Sequence, residues 1–329
     1  RGSVRGCSRS KQCGERGIFH AVTDTGKMAN QEYQASLKSA DTEEHIDIYF
    51  YRPIGYQWAR FFRMLHVTPN VVTILSIFLG VGAGICFGFN DLKINIVGIL
   101  LLVWANMYDS CDGQLARLTN QKSALGRILD GAAGDLWFIS IYVCICIRLM
   151  PEWGFWIWGL AVVSGLLCHS RQCRLADYYR QIHLFFLKGK EGSEMDDAIK
   201  QVAIYKQMKW KREPLQKFFQ FFYKNYTLAQ EKETPWFQKL KKIIRHKYPN
   251  QLPDELRADF RKGSLPLMKF ANFLTFNWRS FTLFASILVG MPWIYFCVEI
   301  VVFTAVYFYM HYRHEKLCCE ILVKIASYE

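Results

Sequence analysis

Residues 107–135 read MYDSCDGQLARLTNQKSALGRILDGAAGD, and the reading of this stretch decides the fold. It strings Asp109, Asp112, Asp130 and Asp135 between two of the most apolar segments of the chain. A carboxylate in such surroundings is costly unless it has a partner, so four of them in one hairpin imply a need for negative charge.

Outward from this stretch the apolar text comes in blocks near the length of about 20 residues that a membrane-spanning helix requires. Six can be drawn: Val71 to Phe89, Ile94 to Met107 running on through the acidic stretch, Ile128 to Met150, Trp153 to Cys168, Phe270 to Gly290 and Trp293 to Tyr312. The fold class expected is therefore all-α, a polytopic membrane protein of six transmembrane helices. Its helices occupy 67–177 and 269–315. The mean hydropathy of +0.03 averages these blocks with two polar regions.

Residues 1–27 lack an apolar core, which argues against a signal peptide, and residues 1–42 are expected to form a disordered extension. Met28 reads as a natural start. Residues 43–66 interleave aromatics with Arg52, Arg60 and Arg63, as in an amphipathic helix lying in the membrane interface. Pro53 is expected to separate its initial turn from the rest. Residues 178–268 carry amphipathic, Lys- and aromatic-rich text, expected to form a helical cytoplasmic insertion that rests on the membrane surface or docks a partner; 316–329 form a tail.

The net charge of +13 lies mainly at the ends of apolar blocks and in the insertion, where attraction to anionic lipid accounts for it better than nucleic acid does. The basic links fall on one side of the bundle, which the positive-inside rule makes cytoplasmic, with both termini there. The links on the other side are short and nearly uncharged, with Arg148 the one awkward residue. The 11 cysteines show neither CxxC pairs nor Cys/His metal spacing, which fits a reduced protein.

Within the acidic stretch, Asp109 and Asp112 are three residues apart on one helix face, followed there by Gly113 and Ala116. Asp130 opens the next, antiparallel helix. Oxygen ligands meeting from both helices suit hard cations such as Mg²⁺ or Mn²⁺, and the small residues let a ligand approach the backbone. A single Asp at a helix end is more often a cap, but four around one hairpin are not explained that way.

The run Asp109-x2-Asp112-Gly113-x2-Ala116-Arg117-x8-Gly126-x3-Asp130 resembles the signature of the CDP-alcohol phosphotransferase family, integral membrane enzymes of phospholipid synthesis. Thr68-Pro69-Asn70 with Thr73 resembles a second, weaker family element at the mouth of the first helix. The resemblance implies that Asp109, Asp112, Asp130 and Asp135 hold a pair of Mg²⁺ or Mn²⁺ ions. It implies that Gly113, Ala116 and Arg117, with Asn70 and Thr73, lie along the CDP moiety, and that Asp135 takes the acceptor's hydroxyl proton. It implies a CDP-activated lipid or alcohol as donor, a polar alcohol as acceptor, release of CMP, and a homodimer.

One position departs from the pattern. The fourth carboxylate is expected at 134, where this chain has Gly134, and stands at Asp135 instead. One residue turns a side chain by about 100° on a regular helix, and a π-bulge near Gly131 or Gly134 is what would restore the register.

Arg171 and Arg174, where the fourth helix leaves the membrane, resemble the basic segment that contacts the acceptor phosphate in members using glycerol phosphate or inositol phosphate. Positive-inside anchoring explains the same arginines equally well. Arg279, deep in the fifth block, fits an acceptor phosphate contact, a carboxylate partner or an interfacial position. The chain is closest in character to phosphatidylinositol-phosphate or phosphatidylglycerophosphate synthases, with CDP-diacylglycerol as donor. The alternatives are a CDP-ethanolamine-type enzyme acting on diacylglycerol or ceramide, and an ion-coupled transporter.

Overall fold

The computed structural model describes residues 32, 33, 36, 39, 41–121, 124–189, 193, 195–249 and 251–325, with no side-chain description at 124 and 125. Among these residues the chain is helical and contains no strand. The expectations for residues 1–31 lie outside the described residues.

A helix opens the fold: a π-helical turn at Asp47–Tyr51 leads directly into α1, Arg52–Met64, with Pro53 at the junction. α1 packs on the third helix through Gly55, where an added Cβ would lie 2.7 Å from Gln114 Oε1. Trp58 and Phe62 meet Tyr108 edge-on, so the aromatic side of α1 lies partly against protein.

The next three helices form the expected hairpins. α2 spans Pro69–Phe87, starting two residues before the apolar block because Pro69 is set for a helix N-terminus. α3, Leu92–Leu118, is capped by Asp91, which accepts from the backbone N–H groups of Lys93 and Ile94 at 2.7 and 3.2 Å. It runs unbroken through the acidic stretch. α4, Ala124–Trp153, returns antiparallel to it. Cβ atoms at Gly80 and Gly84 of α2 would overlap Trp137 and Ser140 of α4, so these glycines permit the close approach of the two backbones. Arg148 donates to the Phe87 carbonyl and to Asn90 Oδ1, capping the end of α2, which gives this awkward cation its partners.

Beyond α4 the helices are less regular. α5, Trp156–Val162, continues through a π-helical segment, Val163–His169, into α6, Ser170–Lys188. α6 carries the chain past the expected domain boundary at 177 before the insertion begins. The fifth block is not one helix: α10, Asp254–Phe273, ends there, and α11, Phe276–Leu288, restarts after Thr275. With 13 residues, about 20 Å, α11 falls short of a hydrocarbon core of about 30 Å. The last block runs as α12, Trp293–Val298, a π-helical segment, Glu299–Phe303, and α13, Thr304–Lys324, which takes most of the expected tail into the helix.

Among the described residues, four helical stretches, 69–87, 92–118, 126–153 and 293–324, are long and apolar enough to cross a membrane. The chain is thus an all-α polytopic membrane protein.

The insertion is helical, as expected: α7, Ala198–Gln207, α8, Pro214–Glu233, and α9, Pro235–Lys247, followed by the first part of α10. It shares a buried core with α6 and α13, in which Tyr178, Phe186, Phe237, Leu240 and Phe260 meet. Contacts also reach the described residues of the region read as an extension. Glu32 accepts from Tyr56 Oη at 3.0 Å, and Asp41 pairs with Arg261 at 2.8 Å. At these positions the expected disorder does not hold.

Candidate active site

α3 and α4 bring three carboxylates together. Ligand oxygens of Asp109, Asp112 and Asp130 all lie within 4.8 Å of one another. Asp109 and Asp112 share a face because three residues turn a helix by about 300°, and the antiparallel return of α4 sets Asp130 opposite them. Asp112 is buried and accepts from Thr73 Oγ1 of α2 at 2.5 Å, so the second motif of the sequence serves to fix a carboxylate of the first.

Asp135 does not join this group. α4 is an uninterrupted α-helix from Ala124 to Trp153, and no π-bulge at Gly131 or Gly134 restores the register. Five residues beyond Asp130, the Asp135 side chain is turned by about 140°. It interacts electrostatically with His169 and Tyr226, on the side of α6 and α8. No atom of the described residues lies within 4 Å of where a Cβ would stand on Gly134.

Of the small-residue face, Gly113 is covered by the Arg117 guanidinium one turn on, whose nitrogens would lie 3.5 and 3.6 Å from an added Cβ. Arg117 Nε donates to the Ser36 carbonyl, so a segment before α1 reaches the signature. Asn70 is in the first turn of α2, partly exposed, and Ala116 is also partly exposed.

The three candidate acceptor arginines part company. Arg171 and Arg174 lie on α6 and both pair with Glu233 of the insertion, at 3.3 and 2.7 Å. Arg279 is fully buried at the start of α11. Its guanidinium donates to the Leu274 carbonyl at 2.9 Å, to Gln172 Oε1 at 2.7 Å and to Glu299 Oε1. Those contacts engage its guanidinium inside the protein, with Glu299 as its carboxylate partner.

Glu299 is the residue that reading the sequence missed. It accepts from Ser164 Oγ at 2.8 Å, from Tyr295 Oη at 2.5 Å and from Tyr142 Oη, and its Oε1 lies 3.0 Å from His169 Nδ1. The signal was present: a lone acidic residue in an apolar block requires a partner, and Arg279 is the matching cation. The two π-helical segments, 163–169 and 299–303, supply Ser164, His169 and Glu299 to this hub.

A second grouping of possible ligands, His314, Glu315 and Cys318, is buried elsewhere. Its members have packing roles: His314 stacks on Tyr179 at 3.8 Å, and Glu315 accepts from the Trp236 backbone N–H at the start of α9.

The fold and site together define an integral membrane helical bundle with a three-carboxylate group at the turn of one hairpin. Residues 66–183 match the model of the CDP-alcohol phosphatidyltransferase family. Relatives align over the same kind of short stretch. An uncharacterized protein of Aquifex aeolicus is 37% identical over 81 residues, 25% of this chain and 40% of that protein. A putative cardiolipin synthase of Mycobacterium tuberculosis is 34% identical over 58 residues, 18% of this chain and 28% of the relative. A cardiolipin synthase (CMP-forming) of Streptomyces coelicolor is 43% identical over 56 residues, 17% of this chain and 26% of the relative. The chain thus spans less than half the length of these relatives.

Proposed function

We propose that this chain is a CDP-alcohol phosphotransferase that transfers a phosphatidyl-type group from CDP-diacylglycerol to a polar alcohol acceptor such as inositol phosphate, releasing CMP. The observation that carries the reading is the convergence of Asp109, Asp112 and Asp130 within 4.8 Å, inside the segment that matches the family.

An all-oxygen, triply anionic donor set fits hard divalent cations, and Asp109, Asp112 and Asp130 are the residues that would hold a pair of Mg²⁺ or Mn²⁺ ions. Such ions, when bound, neutralise charge on a diphosphate and on a leaving CMP. Thr73 keeps the Asp112 carboxylate oriented. Arg117 and the small residues Gly113 and Ala116 form the surface along which the cytidine diphosphate lies, with Asn70 at its edge. The acceptor approaches from α6, where Arg171 and Arg174 supply positive charge. Asp135, turned toward that side, takes the proton from the acceptor hydroxyl as its oxygen attacks phosphorus and the CMP oxygen departs. Asp135 thus serves as a base and not as a metal ligand. The active site and both termini face the cytoplasm.

The test is CMP release by the purified full chain with CDP-diacylglycerol, Mg²⁺ or Mn²⁺, and a panel of phosphorylated and unphosphorylated alcohols. If no CDP-alcohol is consumed with any acceptor, the reading fails.

A further inference from the structure

Two guanidinium groups and a phenol converge on a single carboxylate where the insertion meets α6. Arg174 Nη2 donates to Glu233 Oε1 at 2.7 Å, and Arg171 Nε lies 3.3 Å from the same oxygen. Tyr307 Oη of α13 donates to Glu233 Oε2 at 3.4 Å, and the Arg171 guanidinium lies 5.7 Å from the centre of the Tyr307 ring. Arg174 Nε is buried without a hydrogen-bond partner among the described residues, so the group offers more donors than one carboxylate uses. Two cations facing one anion also leave a net positive charge.

Glu233 is delivered to this point by a fixed frame. It is the last residue of α8, and the helix is tied down just before it. Gln230 Nε2 donates to the Arg174 carbonyl at 3.1 Å, and Tyr226 Oη to Asp177 Oδ2 at 3.1 Å. After it, Thr234 donates to the Gln230 carbonyl at 2.8 Å, and α9 is held through Trp236 on Glu315. The same insertion is linked to α4, the helix of Asp130 and Asp135, by Arg127 and Asp196 at 3.5 Å. A tethered carboxylate competes with a free anion at high effective concentration.

We infer that Glu233 is a specificity-determining residue: it occupies the anion position formed by Arg171, Arg174 and Tyr307, and an acceptor bearing a phosphate monoester must displace it to bind. The inference rests on the proposed reaction and on acceptor approach along α6. Guanidinium forks suit carboxylate and phosphate alike, which is why one can stand in for the other. A phosphorylated acceptor such as inositol phosphate therefore binds in exchange for Glu233, which lowers its affinity without barring it, and an acceptor without a phosphate meets no such competition.

The experiment compares wild type with Glu233→Gln in the full chain, with CDP-diacylglycerol as donor. KM is measured for glycerol 3-phosphate against glycerol, and for inositol phosphate against inositol. The ratio of KM for the phosphorylated acceptor to KM for its neutral counterpart should fall about tenfold in Glu233→Gln. An unchanged or higher ratio would mean that Glu233 only ties the insertion to the bundle, and would overturn the inference. Adding Arg174→Ala should remove the difference. If Glu233→Gln does not accumulate as folded protein, Glu233→Asp, which withdraws the carboxylate by one methylene, takes its place with the same direction of change.

A second arm needs no turnover. Calorimetric binding of inositol phosphate should tighten about tenfold in Glu233→Gln, and an equal or weaker affinity overturns the inference. Absence of CMP release with every acceptor would remove the proposed reaction while leaving this binding result to decide the role of Glu233.

Discussion

Replacing Asp135 separates two roles that sequence spacing alone leaves merged, ligand and base. On the uninterrupted helix α4, Asp135 is about 140° around and about 7.5 Å along from Asp130, whereas position 134 is only about 40° around and about 6 Å along. Asp135→Asn should therefore lower kcat by about 10²- to 10⁴-fold, the usual contribution of a positioned base. It should leave the Mg²⁺ or Mn²⁺ concentration for half-maximal activity within about threefold, because no cluster carboxylate is lost. Asp130→Asn should shift that concentration strongly. Gly134→Asp, placed where a side chain meets no neighbour, should alter the metal dependence when added to Asp135→Asn without restoring kcat. Steady-state CMP release across a metal titration reads all three variants. If Asp135→Asn raises the metal requirement as much as Asp130→Asn, or retains normal kcat, the assignment is refuted.

Three further outcomes follow from other parts of the structure. Thr73→Val removes the hydroxyl that fixes buried Asp112 and should raise the half-saturating metal concentration by about 10- to 100-fold; an unchanged titration would remove Thr73 from the site. Arg279→Met leaves Glu299 buried without its cation and should destabilise the bundle by about 3–5 kcal/mol, most of it recovered by adding Glu299→Gln; a raised acceptor KM with unchanged melting would return Arg279 to the acceptor site. The third outcome concerns pH. Burial holds His183 below its ordinary 6.5 against the opposing pull of Asp41, and the hydrogen bond from Arg261 holds Asp41 below its ordinary 3.8. Both groups bind fewer protons folded than unfolded. The melting temperature should thus fall as pH drops below about 6.5 through His183 and again below about 3.8 as the Asp41 contribution is lost. His183→Gln should flatten the upper step; a wild-type curve already flat between pH 7 and 5 would contradict the argument.

The hairpin of α3 and α4 was legible because its determinants are local. Apolar runs set the helices, three-residue spacing sets a face, and a short link forces the antiparallel return that brings Asp130 to Asp109 and Asp112. The helix α1 was legible from its aromatic and arginine pattern. The irregular part of the bundle was not. The break at Leu274–Thr275 carries no proline or glycine; it goes with Arg279, which donates back to the Leu274 carbonyl from α11. Partners separated by long stretches of sequence were hidden for the same reason. Nothing near Arg174 announces Glu233, and Ser36 gives no hint that its carbonyl meets Arg117. Those pairings depend on how the insertion and the segment before α1 fold back onto the bundle. Glu299 was readable in principle, since an acidic residue inside an apolar block demands a counter-charge.

CMP release by the purified full chain, with CDP-diacylglycerol and each acceptor in turn, tests the central claim most directly when wild type is run beside Asp112→Asn at matched folding. The wild type should form CMP in a metal-dependent manner, and Asp112→Asn should not. Consumption of no CDP-alcohol by the wild type, or near-normal turnover by Asp112→Asn, would contradict that claim.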